Sequence, residues 1–492
     1  MKLHTLIKVL PLYSLHGAGN PLIHQLKDHH SDVKQGDLFF CIKGEKIDSH
    51  DFVNEAVESG AVAVVTEKPL LNNVPCLVVE NTRKAMAILA DHFYGQPSKK
   101  LSLIGITGTN GKTTTSHMIE KILRDASKKT GLVGTLYSRI GSEETTMSNT
   151  TPNSLYLQPF FSKLVQEQGT HAIMEVSSHA LVQGRVHGCD FDVAVFTNLS
   201  QDHLDYHGTM EEYRYAKGLL FSQLGNSYST SRPKYAILNI DDPEAGFFYQ
   251  STAAHVLTYG IRNNADFMAK NIDMNQYGTT FTLQTPSEER NVTVPIVGEF
   301  NVYNLLAAIA AGYIEKIPLG KMVESMKSFS GVKGRFQLIQ EGQDFMVIVD
   351  YAHTPAGLKN VLETIKKFVK GKVWVVVGCG GDRDKLKRPQ MALVACQFAD
   401  HAIFTTDNPR TEDPLRIIKD MERGGIVGKY TSIVDRKQAI TTAILQGEKS
   451  DVIIIAGKGH ESYQLIGTDV LEFDDVSVSQ EALKELVEYD RN

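Results

Sequence analysis

From Leu101 onward the chain repeats one arrangement, a short apolar run followed at once by a polar cluster. LSLIGI (101–106) runs into TGTNGKTT, HAIM (171–174) into EVSSHA, FDVAVF (191–196) into TNLSQDHLDYH, and YAIL (235–238) into NIDDP. MVIV (346–349) runs into DYAHTP, VWVVV (373–377) into GCGGDRD, AIF (402–404) into TTDNPRTEDP, and VIIIA (452–456) into GKGHE. Continuous apolar runs of this length suit strands covered on both faces, as in parallel sheets. Ligands of open α/β sheets bind beyond the carboxyl ends of the strands. Polar loops alone explain one or two such clusters; eight at that end predict an α/β fold with its chemistry along the sheet edges.

At roughly 100–200 residues per domain, 492 residues make about three domains. The first 98 residues carry a shorter α/β pattern, with strands expected at 37–42 and 61–65 and a helix at 51–59. Turn chemistry at 94–98 and two glycines within 330–334 place the boundaries, giving domains at 1–98, 99–332 and 333–492. A net charge of −6 (51 basic against 57 acidic residues) disfavours a nucleic-acid partner. No apolar run approaches the ~18 residues of a membrane helix, and MKLHTLIKVLPLY lacks the core and cleavage site of a signal peptide. Cys41, Cys76, Cys189, Cys379 and Cys396 are scattered without a CxxC pair. That fits reduced thiols in a cytoplasmic protein, not a disulfide frame or a zinc site.

Gly108-Thr109-Asn110-Gly111-Lys112-Thr113-Thr114 lies between an expected strand and a helix beginning near Thr113. Glycines let the backbone fold round a phosphate and present N–H groups to it, and the helix N-terminus adds positive potential. Lys112 is expected to reach the β- and γ-phosphates of ATP, and the Thr113 hydroxyl to hold Mg²⁺. Ile106 stands where the strict G-x4-G-K-T spacing wants glycine, so the loop is a variant. Glu175, at the end of HAIM, is a carboxylate beyond a strand, where a metal ligand would sit. His203, clustered with Asp202, Asp205 and His207, is a second candidate ligand.

GTNGKTT, the 175–180 cluster, NLSQDHLDYHG, Ala216-Lys217 and Asn301-Val302-Tyr303-Asn304 together resemble the Mur ligase superfamily. DYAHTP, GCGGDRD, DNPR and GKGHE narrow the resemblance to members that add the third peptide residue of the cell-wall precursor. The likeness spans essentially the whole chain. It implies a three-domain α/β architecture: an N-terminal uridine-nucleotide domain, a central P-loop ATPase domain and a C-terminal Rossmann-like amino-acid domain. The implied activity is ATP-driven amide ligation, with UDP-MurNAc-L-Ala-D-Glu and meso-diaminopimelate as small-molecule substrates of a monomer. Lys217 is then carbamylated by CO₂: an ordinary lysine, pKa ~10.4, repels a Mg²⁺–phosphate centre, whereas a carbamate supplies the oxygen ligands Mg²⁺ prefers. Asn301, Asn304, Arg335 and Asp350 fall where the family touches ATP, with His353 packing on the adenine. Ser31, Thr150, Thr151, Ser177 and Arg185 match contacts to the nucleotide-linked dipeptide.

Asp407-Asn408-Pro409-Arg410 carries the choice of amino acid. Diaminopimelate is lysine with one extra carboxylate, for which Arg offers a matched fork. Arg383 is implied to bind the same group. Lysine in this site would leave a buried Arg unpaired, at a cost of several kcal/mol. Gly457 and Glu461 match the family's remaining contacts, Glu461 taking the distal ammonium. One segment departs: where the family has Asp-Ser-Arg before V-x-x-G-x-L-F, this chain has His29-His30-Ser31. The alternatives are a relative with another acceptor, such as a lysine-adding ligase or a folylpolyglutamate synthase, and a non-catalytic nucleotide sensor. DNPR and the short N-terminal domain oppose the first; the retained Lys112, Glu175, His203, Lys217 and Arg410 oppose the second.

Overall fold

A computed structural model describes residues 1–44, 47–70, 73–226, 231–275 and 277–490, with side chains to 486. Three sheets of five, eleven and six strands and one two-stranded hairpin organise the chain. The N-terminal sheet runs Ser14–His16, Cys76–Val78, Ala61–Thr66, Asp37–Phe40, Leu26–Lys27, parallel except for its first strand. Alternation of side chains along a strand sends Leu38 and Phe40 to one core and Phe39, with the following Cys41, to another. The expected 51–59 helix is a 3₁₀ turn, Ser49–Phe52, leading into the helix Val53–Glu58. Asp48 caps the 3₁₀ turn, its side chain accepting the His50 N–H at 3.0 Å.

All eight apolar runs form strands. Tyr235–Asn239, Val193–Phe196, Ser102–Thr107 and His171–Glu175 lie side by side and parallel at the middle of the eleven-stranded sheet. Met346–Asp350, Val452–Ala456, Val373–Cys379 and His401–Thr406 do the same in the six-stranded sheet. Register keeps their ends level: Glu175 pairs with Ile106, Phe196 with Thr107, Asp350 with Ala456, and Cys379 with Thr406. The polar clusters therefore leave from one edge of each sheet. Phe267–Asn275, parallel to its inner neighbour, the antiparallel Gly278–Gln284 and Glu289–Val294 beyond it, and the antiparallel Tyr137–Ile140 and Glu143–Thr146 on the other side are partly exposed. They lack the continuous apolar runs that mark the buried strands.

The helix Lys112–Asp125 packs Met118, Ile119 and Ile122 on the central sheet, joined by Leu305, Leu306 and Ile309 of Glu299–Ile314. In the C-terminal domain a fully buried ion pair ties two helices to the sheet edge. Arg436, opening the helix Arg436–Leu445, bonds Asp475, opening Asp475–Asp490, at 2.7 and 2.8 Å. The same guanidinium donates to Ala456 O at 3.0 Å and Thr406 O at 3.4 Å. These carbonyls close the strands that deliver GKGHE and DNPR, so the pair fixes both motifs. Removing one partner leaves a buried charge uncompensated, and Asp475→Ala is expected to lower the unfolding free energy of this domain by about 3–5 kcal/mol. Urea denaturation measures it; a loss under about 1 kcal/mol would contradict the clamp.

Candidate active site

The phosphate loop is built as a strand-to-helix turn. Gly108 and Gly111 take φ of 147° and 88°, and a side chain at Gly111 would collide with Asn304 Oδ1. The helix begins at Lys112, one residue before the expected start, because Gly111 in the left-handed region serves as its N-cap. Lys112 Nζ folds back on the loop and donates to Gly108 O and Thr109 O, each at 2.8 Å. Lys217, 1% exposed on the helix Met210–Ser222, donates from Nζ to the same Gly108 O at 2.9 Å and lies 4.4 Å from the Tyr213 ring centre. Burial lowers the pKa of both lysines, and Lys112 lowers that of Lys217 further.

Glu175 is fully buried and held by threonines. Its Oε2 accepts from Thr113 Oγ1 and Thr135 Oγ1, both at 3.0 Å, and its Oε1 from Thr135 N at 2.9 Å. A carboxylate and a hydroxyl at this spacing are hard oxygen donors that suit Mg²⁺. Among the described residues no group of three or more His, Cys, Asp or Glu forms a metal cluster. Thr135 was not anticipated, although it follows the strand Thr130–Val133 as the other clusters follow theirs.

His203 sits in the left-handed region, φ 55°, with Nε2 3.5 Å from Asp202 Oδ2. Its ring meets His179 edge-on at 4.8 Å, and His207 contacts Ser178 Oγ at 2.9 Å. Asp202 Oδ2 also lies 3.9 Å from His353 Nε2 of the C-terminal domain. His353 therefore faces the His203 loop; Tyr351 and Ala352 line the cleft where adenine packing was expected of it.

That cleft, of about 640 Å³, lies between the central and C-terminal domains. Asn110, Gly111, Thr114, Asn301, Asn304, Arg335 and Asp350 all line it. Asn304 Oδ1 accepts from Thr115 at 3.2 Å, and Asn301 donates to Val297 O at 2.8 Å. Arg335 crosses from the C-terminal domain, stacks 4.2 Å over Tyr351 and donates to Thr113 Oγ1 at 3.4 Å. Asp350 accepts from Phe336 N and Ala352 N at 2.7 and 2.8 Å; burial raises its pKa.

Beyond Glu175 lies the segment matched to the dipeptide. Thr151 is spent internally, donating to Glu175 O at 2.8 Å and accepting from Ser177 N at 3.0 Å. Ser177 Oγ caps Ala180 N at 3.2 Å, and Thr150 Oγ1 bonds Thr135 Oγ1 at 3.1 Å. Arg185 donates to Thr151 O at 2.7 Å and to Gln183, with no carboxylate partner among the described residues. Ser31 lies apart, exposed on a 3₁₀ turn where His29 Nδ1 contacts its Oγ at 2.8 Å. His30, in the place of the usual serine, stacks at 4.3 Å on Phe52.

The amino-acid motifs meet each other. Asn408 donates to Glu461 Oε2 at 2.7 Å, while its Oδ1 accepts from Lys458 Nζ and Leu465 N, each at 3.0 Å. Gly457, at φ 116°, leaves room for Asp407, which a Cβ there would crowd at 2.9 Å. Burial would raise the pKa of Asp407, but Lys458 and Arg436 outweigh it and hold the group low. Pro409 leads into Arg410, whose φ is 51° and whose Nη1 donates to Gly381 O at 2.8 Å. Arg383 is exposed and bonds its neighbour's Asp382 O at 3.0 Å. The buried arginine of that region is Arg388, paired with Glu412 and Asp420.

Three family models match the chain: Mur ligase middle domain over 106–312, Mur ligase, glutamate ligase domain over 334–459, and Mur ligase family, catalytic domain over 23–94. The chain is 55% identical over 483 residues to the UDP-N-acetylmuramoyl-L-alanyl-D-glutamate--2,6-diaminopimelate ligase of Bacillus cereus, covering 98% of each. It is 55% identical over 487 residues to the enzyme of that name from Geobacillus thermodenitrificans, covering 99% of this chain and 100% of the relative. A solved structure of a ligase so named superposes with a TM-score of 0.68 at 35% identity, over 94% of this chain and 95% of that one. MurF from Acinetobacter baumannii shares the fold, with a TM-score of 0.68 at 20% identity, over 99% and 97% of the two chains.

Burial lowers the pKa of His179, His203 and His207 from 6.5 to about 4. Between those values the unfolded chain binds protons that the folded chain does not, so stability falls as pH drops through this window and levels off below it. Denaturant unfolding against pH reads the slope, and His207→Gln is expected to flatten it; an unchanged slope contradicts the assignment.

Proposed function

The chain belongs to the Mur ligase family, and we propose that it adds meso-2,6-diaminopimelate to UDP-N-acetylmuramoyl-L-alanyl-D-glutamate, cleaving ATP, in cytoplasmic synthesis of the peptidoglycan precursor. It acts as a monomer, with domains at 1–98, 99–332 and 333–492. The reading is carried by one observation: Lys112, Thr113 and Lys217 converge on the phosphate loop where Arg335 reaches in from the C-terminal domain.

The substrate carboxylate attacks the γ-phosphorus, the γ-phosphoryl group passes to it, and ADP leaves. The amine nitrogen then attacks the acyl carbon, phosphate leaves with the former carboxylate oxygen, and the amine loses a proton. Both steps gather negative charge, which fixed cations in a dry site stabilise. Lys112 exchanges its two loop carbonyls for the β- and γ-phosphates. Gly108, Thr109, Asn110, Gly111 and Thr114 cradle the triphosphate with backbone N–H groups, and Asn301, Asn304, Arg335 and Asp350 border the nucleotide. Thr113, Glu175, His203 and a carbamylated Lys217 would hold Mg²⁺, which supplies charge neutralisation at the transferring phosphoryl group. The lowered pKa of Lys217 supports carbamylation, because only the neutral amine combines with CO₂.

Arg185, without a carboxylate partner among the described residues, receives an acidic group of the dipeptide substrate, with Thr150, Thr151 and Ser177 shaping its path and Ser31 beside the uridine end. Arg410 and Arg383 take the distal carboxylate of diaminopimelate, while Asp407, Asn408, Pro409, Gly457 and Glu461 form the remainder of its pocket. Closure of the domains keeps water from the acyl-phosphate.

Phosphate release from ATP, Mg²⁺ and the UDP-linked dipeptide is expected with diaminopimelate and not with L-lysine, with product mass as the check. Release with lysine alone contradicts the role of Arg410; silence with both contradicts the ligase. Stripping CO₂ from the enzyme is expected to lower the rate at least about tenfold, with recovery on adding bicarbonate. A rate indifferent to CO₂ contradicts carbamylation of Lys217.

A further inference from the structure

Lys458, inside GKGHE, is a fully buried cation of the C-terminal domain. A lysine ammonium is rarely buried without partners. Lys458 Nζ donates to Asn408 Oδ1 at 3.0 Å and to Glu461 Oε2 at 3.2 Å. Asn408 closes the triangle through its own donation to Glu461 Oε2 at 2.7 Å. Three side chains from two motifs, fifty residues apart in the chain, thus share three hydrogen bonds. The Arg436–Asp475 pair behind them is neutral as a unit.

We propose that Lys458 is a positioning residue for the acceptor amino acid: it orients Glu461 through Asn408 and leaves the pocket one carboxylate in excess, ready for one incoming ammonium. The inference rests on the diaminopimelate reading above. Asp407 and Glu461 bring two negative charges to this pocket, and Lys458 neutralises one. The remaining charge matches a single distal ammonium. Without Lys458, the half-buried carboxylates of Asp407 and Glu461 would repel without this cation between them, and Glu461 would lose both its ammonium partner and the Asn408 geometry that the partner fixes. Buried charges left uncompensated in this way take up a proton or turn toward solvent, and a protonated or displaced Glu461 binds an ammonium poorly. Lys458 touches neither the phosphate loop nor Glu175, so its effect is confined to the amino acid.

Steady-state phosphate release by the full-length enzyme separates these effects. Lys458→Met is expected to raise KM for diaminopimelate at least about tenfold, with KM for ATP and for the UDP-linked dipeptide, and kcat, within about threefold. Lys458→Gln, which keeps a hydrogen bond to Asn408 but not the charge, is expected to raise KM by an intermediate factor. Because Lys458 acts through Glu461, Lys458→Met placed in a Glu461→Gln background is expected to change KM by less than about threefold. Equal rises in KM for all three substrates, or an undiminished effect in the Glu461→Gln background, overturn the proposal while the unsubstituted enzyme still turns over diaminopimelate. An unsubstituted enzyme that does not turn over diaminopimelate overturns the functional reading and this inference together.

Discussion

Two lysine ammonium groups converge on one backbone carbonyl, Gly108 O, beside a buried carboxylate. Two like charges this close and this dry repel, and burial already disfavours each of them. The arrangement persists because Gly108 O and Thr109 O take the hydrogen bonds, while Glu175 and Asp202 supply the opposing charge. The threonines around Glu175, the glycines of the loop and the reach of Arg335 all serve to hold this charged core in place.

The cluster built from DNPR and GKGHE solves a second charge problem by different means. There the cations are Lys458 and Arg436, the anions Asp407, Glu461 and Asp475, and the geometry is carried by Asn408 and two strand-end carbonyls. The two centres lie on the carboxyl ends of separate sheets. Arg335, the Asp202–His353 approach and the Lys367–Glu299 ion pair are among the direct links between the domains that carry them.

Much of this was legible in the residues. Eight apolar runs became eight parallel strands because a strand buried on both faces leaves no polar alternation to confuse the reading. The phosphate loop was legible because glycine, lysine and threonine are each needed at one place. What escaped were residues whose meaning lies in tertiary neighbours. Thr135, Tyr213, His179 and Lys458 are common residue types, two of them inside quoted motifs, and only the fold brings Thr135 to Glu175 or Lys458 to Asn408. His353 pairs with Asp202 across the domains and does not line the cleft, a choice made by docking and not by its own motif. Thr151 turns inward because Glu175 O and Ser177 N occupy its hydroxyl.

The proposed ligation requires the phosphoryl group held at the phosphate loop to pass to a substrate carboxylate. Labelling that carboxylate of the UDP-linked dipeptide with ¹⁸O and weighing the released phosphate tests it directly. One labelled oxygen is expected in each phosphate released in the presence of diaminopimelate, since the oxygen that attacks phosphorus leaves with it. Unlabelled phosphate, released at the rate of product formation, would mean that no acyl-phosphate forms and would contradict the account.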